Sequence, residues 1–131
     1  MALPAPIRRF LGEQGESALV LAFSRGAVWA WTPEHYAREV EARMMEQDPF
    51  SDAVLDFAHS LMSTAQDVEI DKQGRVRVPA PLRELAGLSK DVVVHVLLGH
   101  IEVWDREVWD RRFQESLHRA GSRSGMPGRD E

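Results

Sequence analysis

A run of sequence at residues 71–88, DKQGRVRVPAPLRELAGL, limits the possible folds of this chain more than any other segment. On either side of Gly74, apolar side chains alternate with polar ones, at 68–71 and again at 75–78. This period of two is typical of strands that bury one face. Gly74 supplies the left-handed backbone of a tight turn, and Asp71 can accept hydrogen bonds from the turn amides. The run therefore predicts two strands joined by a turn.

Helices and hairpins are predicted around this run. Pro79 has the fixed φ of a residue that opens a helix, and Gly87 stands where a glycine commonly ends one. Two further pairs of apolar runs surround Gly26 and Gly99, and each pair predicts a β-hairpin. The chain therefore combines strands with helices in an α+β pattern.

The chain also repeats itself. The segment LPAPIRRF matches VPAPLREL, with Leu3 aligned to Val78, and WTPEHY matches WDREVW, with Trp31 aligned to Trp104. Thr32 and Asp105 fall on equivalent positions of the second match, and both are predicted to cap helices. The two alignments differ slightly in offset, which one loop of different length explains. Two copies of one supersecondary unit therefore explain the chain better than unrelated segments do.

The repeat divides the chain into four parts. We predict a first copy at residues 1–47, a connecting helix at 48–66, a second copy at 67–118 and a disordered tail at 119–131. The connecting helix is predicted to open at Asp48. The tail has no apolar periodicity, which is typical of disorder.

The first copy lacks part of the pattern. In the alignment of Leu3 with Val78, Met1 falls on Val76, so the first copy has no counterpart of the turn at 71–75. We expect this start to be a late one, with a native protein that carries an upstream strand and a second turn of this kind.

Composition excludes several classes of protein. No stretch reaches the roughly 20 apolar residues that a membrane span requires, and the absence of cysteine excludes disulfides and thiolate zinc sites. No nucleophile elbow, phosphate loop or metalloprotease motif is present. His95 and His100 match no familiar metal-ligand spacing. We therefore expect no catalysis, cofactor, metal or small-molecule substrate, and we interpret the four tryptophans as core or subunit-interface residues.

The pattern D-x-x-G-R-[apolar]-x-[apolar]-P-x-x-[apolar]-R-x-x-x-G-[apolar] resembles the AbrB/SpoVT superfamily of swapped-hairpin DNA-binding domains. Its duplication in one chain is similar to the MraZ family, the two-copy member of that superfamily, over residues 1 to about 118. The resemblance implies two fused AbrB-like β-β-α units. These would form a small double-psi, barrel-like core with flanking helices.

The resemblance also implies which residues contact DNA. They are the arginine after the turn glycine and the arginines of the following helix: Arg75 and Arg83 in the second copy, and Arg8 and Arg9 in the first. From side-chain direction we add Arg77 and Lys72. Asp71 and Gly74 are expected to structure the turn. Because the net charge is −5, these basic groups must be segregated on one face if DNA is the partner.

The function that the resemblance implies is a repressor of the MraZ type. Such a protein binds short direct repeats upstream of the division and cell-wall gene cluster, assembles into a ring-shaped homo-oligomer, and works in the cytoplasm at the nucleoid. Several weak basic patches in one ring can engage repeated sites together. Two alternatives stay open: an AbrB-type antitoxin, and an oligomeric assembly protein that does not bind DNA.

Overall fold

Five antiparallel strands form one sheet in the computed structural model, which describes residues 1–121. The strands are β1 (Ala18–Ser24), β2 (Ala27–Trp31), β3 (Gln66–Glu69), β4 (Val92–Leu97) and β5 (His100–Asp105). Their order across the sheet is β3-β1-β2-β5-β4. The two hairpins, β1-β2 and β4-β5, therefore meet along β2 and β5 in the middle of the sheet.

Helices cover the sheet. They are α1 (Ala5–Glu13), α2 (Pro33–Tyr36), a π-helical turn (Ala37–Glu41), α3 (Ala42–Met44), α4 (Asp52–Leu61), a 3-10 turn (Met62–Thr64), α5 (Ala80–Ala86) and α6 (Arg106–Gly121). The first three elements after β2 follow one another without a break, so they form one helical segment over residues 33–44.

The backbone repeats as the sequence does. The β1-β2 turn has φ values of 52° and 91° at Arg25 and Gly26, and the β4-β5 turn has 50° and 87° at Leu98 and Gly99. These pairs are equivalent in the alignment of Trp31 with Trp104, and positive φ at both central residues matches the twist of a tight hairpin. The two hairpins are therefore equivalent in detail.

The helix starts repeat as well. Pro4 precedes α1 with φ −55° and ψ 145°, and its equivalent Pro79 precedes α5 with φ −56° and ψ 144°. In the other alignment, the Thr32 hydroxyl accepts a hydrogen bond from the His35 amide at 3.2 Å. The Asp105 carboxylate accepts one from the Val108 amide at 3.4 Å. The capping residues predicted at these two positions are thus confirmed.

The core lies on both faces of β1, which explains why its sequence is an unbroken apolar run. Leu19 and Leu21 belong to one buried cluster, which includes residues of α1 and α5. Val20 and Ala22 point the other way, into a second cluster that includes Trp31 and residues of the helical segment. Alternate residues of the strand therefore bind two layers of helices to the sheet.

The structure does not confirm the expected barrel-like core. The sheet is open, with β3 and β4 at its edges. The segments on either side of the turn at 71–75 do not form a regular hairpin either, since β3 pairs with β1 and only one bridge, Ile70 to Val76, joins them. Val68 is the backbone partner of Leu19 in β1, and its side chain packs against the core cluster that contains Leu19.

Two predicted boundaries are also corrected. The connecting helix begins at Asp52 rather than Asp48, because the Ser51 hydroxyl caps it by accepting from the Val54 amide at 3.4 Å. Asp48 instead accepts from the Phe50 amide at 2.9 Å, in a turn before the helix. At the other end, α6 continues to Gly121, so the first three residues of the predicted tail are helical. The rest of that tail, 122–131, lies outside the described residues.

Candidate nucleic-acid interface

The turn at residues 71–75 is held by one carboxylate. Asp71 Oδ1 accepts hydrogen bonds from the amides of Gln73 and Arg75, each at 2.8 Å. The backbone closes around it, because the Gly74 amide donates to the Asp71 carbonyl at 3.0 Å and the Asp71 amide donates to the Arg75 carbonyl at 2.9 Å. Gly74 has φ 73°, which L side chains rarely adopt. The turn therefore presents Arg75 from a fixed backbone.

The first residues of the chain pair with the outgoing side of this turn. The Met1 amino group donates to the Val76 carbonyl at 2.8 Å, and the Val76 amide donates to the Met1 carbonyl at 2.7 Å. Ala2 forms a bridge with Arg75. The start of the first copy thus forms a short antiparallel pairing with residues 75 and 76 of the second copy.

Arg8 of α1 also contacts the turn. Its Nη1 donates to the Gln73 carbonyl at 3.5 Å, and its side chain occupies the space that a Cβ on Gly74 would need. A Cβ at position 74 is therefore strained by the backbone conformation and would also require the Arg8 side chain to move. Arg8 lies on the first copy and the turn on the second, so the basic surface is built by both.

A groove of about 1,090 Å³ runs beside the turn. Four exposed basic residues line it: Arg75, Arg77, Arg83 and Lys90. Two acidic residues, Glu69 and Asp71, also line it, and Asp71 is engaged by the turn amides. In a chain of net charge −5, this groove is a local concentration of positive charge.

The other residues predicted to contact DNA lie elsewhere. Arg9 and Lys72 are exposed but do not line the groove, and Arg8 lies over the turn. The two helices also differ at the next equivalent position, where α1 has Arg9 and α5 has the exposed Glu84. The structure therefore brings together three of the predicted arginines in one groove and places Arg8 beside it.

Lys90 was missed by sequence reasoning because it follows the helix in a loop that matches no motif. The loop is fixed by Asp105, whose Oδ1 accepts from the Ser89 hydroxyl at 2.7 Å and from the Ser89 amide at 3.1 Å. The hydroxyl hydrogen bond from Ser89 is the largest cause that holds the pKa of Asp105 below its ordinary value. Lys90 is therefore carried by an anchored backbone, although its own side chain is exposed.

A second polar cluster is buried far from the motif, at β4 and β5. Glu102 accepts hydrogen bonds from Trp104 Nε1 at 2.7 Å and from His100 Nε2 at 2.8 Å, and His95 Nε2 lies 3.5 Å from it. Burial opposes its ionisation, but these hydrogen bonds and the electrostatic interactions with His100 and His95 together outweigh burial and hold the pKa of Glu102 below its ordinary value. The His100 ring stacks on Trp29 with 3.7 Å between centroids.

Within residues 1–121, no group of three or more histidine, aspartate or glutamate side chains is arranged to hold a metal ion. No helix in the same range is long and apolar enough to cross a membrane. Trp31 and Trp104 are buried, as core residues are.

Comparisons of the sequence with a family model and with known proteins agree on one family. A family model described as "MraZ protein, putative antitoxin-like" matches residues 61–125. A "Transcriptional regulator MraZ" from Treponema denticola is 32% identical over 114 residues, which cover 86% of this chain and 77% of the relative. Proteins of the same name from Acetivibrio thermocellus and Micrococcus luteus are 34% and 35% identical, over 79% and 80% of this chain and 70% and 71% of their own lengths. The similarity to these relatives covers most of the described chain.

Proposed function

The chain belongs to the MraZ family, and from this premise we propose that it is a transcriptional regulator that binds DNA through the groove beside the 71–75 turn. The observation that carries the proposal is the segregation of charge. Arg75, Arg77, Arg83 and Lys90 line one groove of a chain whose net charge is −5. Duplex DNA is the polyanion that such a groove suits, since neutralising phosphates releases bound counterions.

Three of the four basic residues divide into two roles. The Arg75 side chain extends from a turn whose backbone is held in place by Asp71. Its planar guanidinium is therefore suited to two parallel hydrogen bonds with one guanine edge. Lys90 and Arg83 are exposed at the groove wall and suit phosphates, which position the protein without reading sequence. Arg8 supports the turn from the first copy.

Finer features follow from the family resemblance. The regulator acts as a repressor, binds short direct repeats upstream of the division and cell-wall gene cluster, and works in the cytoplasm at the nucleoid. Chains assemble into a ring, which the exposed Phe113 and Leu117 of α6 support as apolar contact residues. Swapped hairpins form the DNA-reading face. A ring that engages several repeats at once gains affinity that one groove lacks.

A mobility-shift experiment tests the proposal. The full chain is titrated into a duplex that carries the promoter repeats and into a scrambled duplex of equal length, from about 50 to about 200 mM salt. We expect binding of the repeats to be about a thousandfold tighter, as for specific regulators. Arg83→Ala should lower the slope of log affinity against log salt by about one. Arg111→Ala, an exposed arginine of α6, is the matched control and should leave the slope unchanged.

Two results would refute the proposal. Equal affinity for both duplexes would mean that the groove does not read sequence. No binding to either duplex, with the oligomer intact, would favour an assembly protein instead. An antitoxin that binds its own promoter would also shift the repeats, but it would in addition form a stable complex with a toxin encoded beside it.

A further inference from the structure

The tip of the β4-β5 hairpin carries a leucine at a position that favours glycine or a small polar residue. Leu98 is 100% exposed and has φ 50°, a left-handed conformation that strains an L side chain. Glycine, asparagine or aspartate usually occupies this position of a tight hairpin. The equivalent residue of the other hairpin, Arg25, has φ 52°, but its charged side chain suits exposure to water. Leu98 therefore combines backbone strain with exposed apolar surface, and the single chain gains nothing from either.

An apolar cavity of about 290 Å³ opens beside this tip. Buried residues of the core line it, among them Ile7 and Ala30. Phe10 and Val96 line it as well and are 57% and 55% exposed, so they lie at its mouth. Gly99 is another lining residue, so the cavity begins one residue from the exposed leucine. An apolar cavity of about 150 Å³ holds benzene, so this one has room for a leucine side chain.

We propose that two chains pair through this tip, with Leu98 of each chain seated in the cavity of the other. Leu98 is fully exposed in the single chain, so it does not fill the cavity of its own chain. A projecting side chain that lies next to a cavity is self-complementary, so both contacts form together about one twofold axis.

The exposed apolar area is sufficient for such a pair. Phe10, Val96 and Leu98 together expose roughly 300 Å² of apolar side chain per chain, the size of the largest apolar patch on a typical monomer, which often has a function. Two such patches, with the cavity walls, form the apolar centre of an interface, and polar residues form its rim. The pair therefore belongs at the small end of specific interfaces, which bury about 1,200 Å² in total.

This contact is separate from the one that we assign to α6 in the proposed ring. Neighbouring residues of a strand point to opposite faces of the sheet. Val96 lines the cavity, whereas the ring of His95 meets that of Trp109 in α6, with 4.6 Å between centroids. Helix α6 thus lies on the other face of β4 from the cavity. The pair is an addition to the proposed function and depends neither on DNA binding nor on the ring.

Sedimentation velocity over a dilution series of the full chain tests the proposal. Leu98→Asn should raise the dissociation constant of the pair by about a hundredfold or more, because each pair loses two buried leucine side chains. At dilutions where both proteins are monomeric, the variant should melt no lower than the wild type, since asparagine tolerates the left-handed backbone. Arg25→Asn makes the same change at the equivalent position of the other hairpin and is the matched control. It should leave the dissociation constant unchanged.

A mixing experiment tests the leucine and the cavity together. Ala30→Leu places three extra carbons in the cavity, so this variant keeps Leu98 but loses the space that receives it. Leu98→Asn keeps the cavity but loses the leucine. Neither variant should pair with itself, but an equimolar mixture retains one of the two contacts and should associate about tenfold more tightly than either variant alone. Ile7→Phe replaces Ala30→Leu if that variant does not unfold cooperatively.

Variants of α6 separate this pair from the ring. Phe113→Ser with Leu117→Ser removes exposed apolar residues of α6 and should leave the pair intact, whether or not a ring forms. The proposal is overturned if Leu98→Asn leaves association unchanged, or if Arg25→Asn weakens association equally. A mixture that associates no better than its components would also overturn it, as would a wild-type chain that stays monomeric throughout the series.

Discussion

Met1 and Val76 exchange a reciprocal pair of backbone hydrogen bonds, at 2.8 Å and 2.7 Å. The alignment of Leu3 with Val78 also places Met1 on Val76, so these two residues occupy equivalent positions in the two copies. A residue that pairs with its own equivalent lies on the approximate twofold axis that relates the copies. The turn that presents Arg75 is therefore next to this axis, where both copies contribute to one surface.

Arg75→Ala is predicted to weaken binding to the promoter repeats by about 1–3 kcal/mol if the guanidinium contacts a guanine edge. Folding should change little, because the amide of residue 75 still donates to Asp71 and the bridge to Ala2 uses only backbone atoms. Fluorescence anisotropy with labelled duplex measures the affinity, with Arg111→Ala as control. An unchanged dissociation constant at physiological salt would remove Arg75 from the binding surface.

Asp71→Ala is predicted to lower both the melting temperature and the affinity for DNA. The variant loses two hydrogen bonds of 2.8 Å to the turn amides, which is comparable to the loss of a helix cap of about 1 kcal/mol. For a chain of this size, we expect a fall of about 3–5 °C by thermal melting. Asp71→Asn keeps the acceptor oxygen and should recover most of the stability. Weaker DNA binding with an unaltered melting curve would show that Asp71 does not hold the turn.

Gly74→Ala is predicted to destabilise the chain for two separable reasons. A left-handed φ costs an L residue about 1–2 kcal/mol, and the new Cβ would collide with the Arg8 side chain. In an Arg8→Ala background only the first cost remains, so the loss of stability should be smaller. Urea unfolding of the four chains measures the difference. Strict additivity would mean that Arg8 moves aside freely. Gly12→Ala, at an open position of α1, is the control.

Asp105→Asn is predicted to make the stability of the fold depend less on pH in the acid range. The lowered pKa of Asp105 means that its ionised form stabilises the fold above its unfolded pKa of about 3.9, and that this stability is lost as pH falls through the lower folded value. The variant should be less stable at pH 7 and should lose less on acidification. Thermal melts across the acid range measure this. If the melting temperature of the variant varied with pH in parallel with that of the wild type, Asp105 would not contribute to the pH dependence. Glu102, whose pKa is also lowered, contributes to the pH dependence in both chains.

The local backbone conformation was predictable from the sequence at positions where a single residue type determines it. The turn at Gly74, the helix end at Gly87 with φ 63° and the cap at Thr32 each depend on a residue and its near neighbours. The start of the connecting helix was misplaced because Asp48 and Ser51 are both good caps, and only packing decides between them.

Long-range pairing was not predictable in the same way. Val68 alternates as a strand residue should, but nothing in its segment indicates that its partner is Leu19 rather than the strand after the turn. The same holds for the site. Lys90 enters the groove through the anchoring of Ser89 by Asp105, a contact between distant parts of the sequence that leaves no periodic signal.

If the chain binds DNA as proposed, the difference between Arg9 and Glu84 at equivalent positions of α1 and α5 affects the kind of operator that it reads. Two identical subunits must present the same side chain twice, and this symmetry is what favours palindromic half-sites in dimeric regulators. Covalent fusion removes that constraint, because each half can change its charge independently of the other. In the first copy α1 carries Arg8 and Arg9, whereas in the second copy α5 carries Arg83 followed by an acidic residue. Under the proposed DNA binding, a face with such polarity would have a head and a tail on the duplex, so copies of the chain would follow one another along it in a single direction.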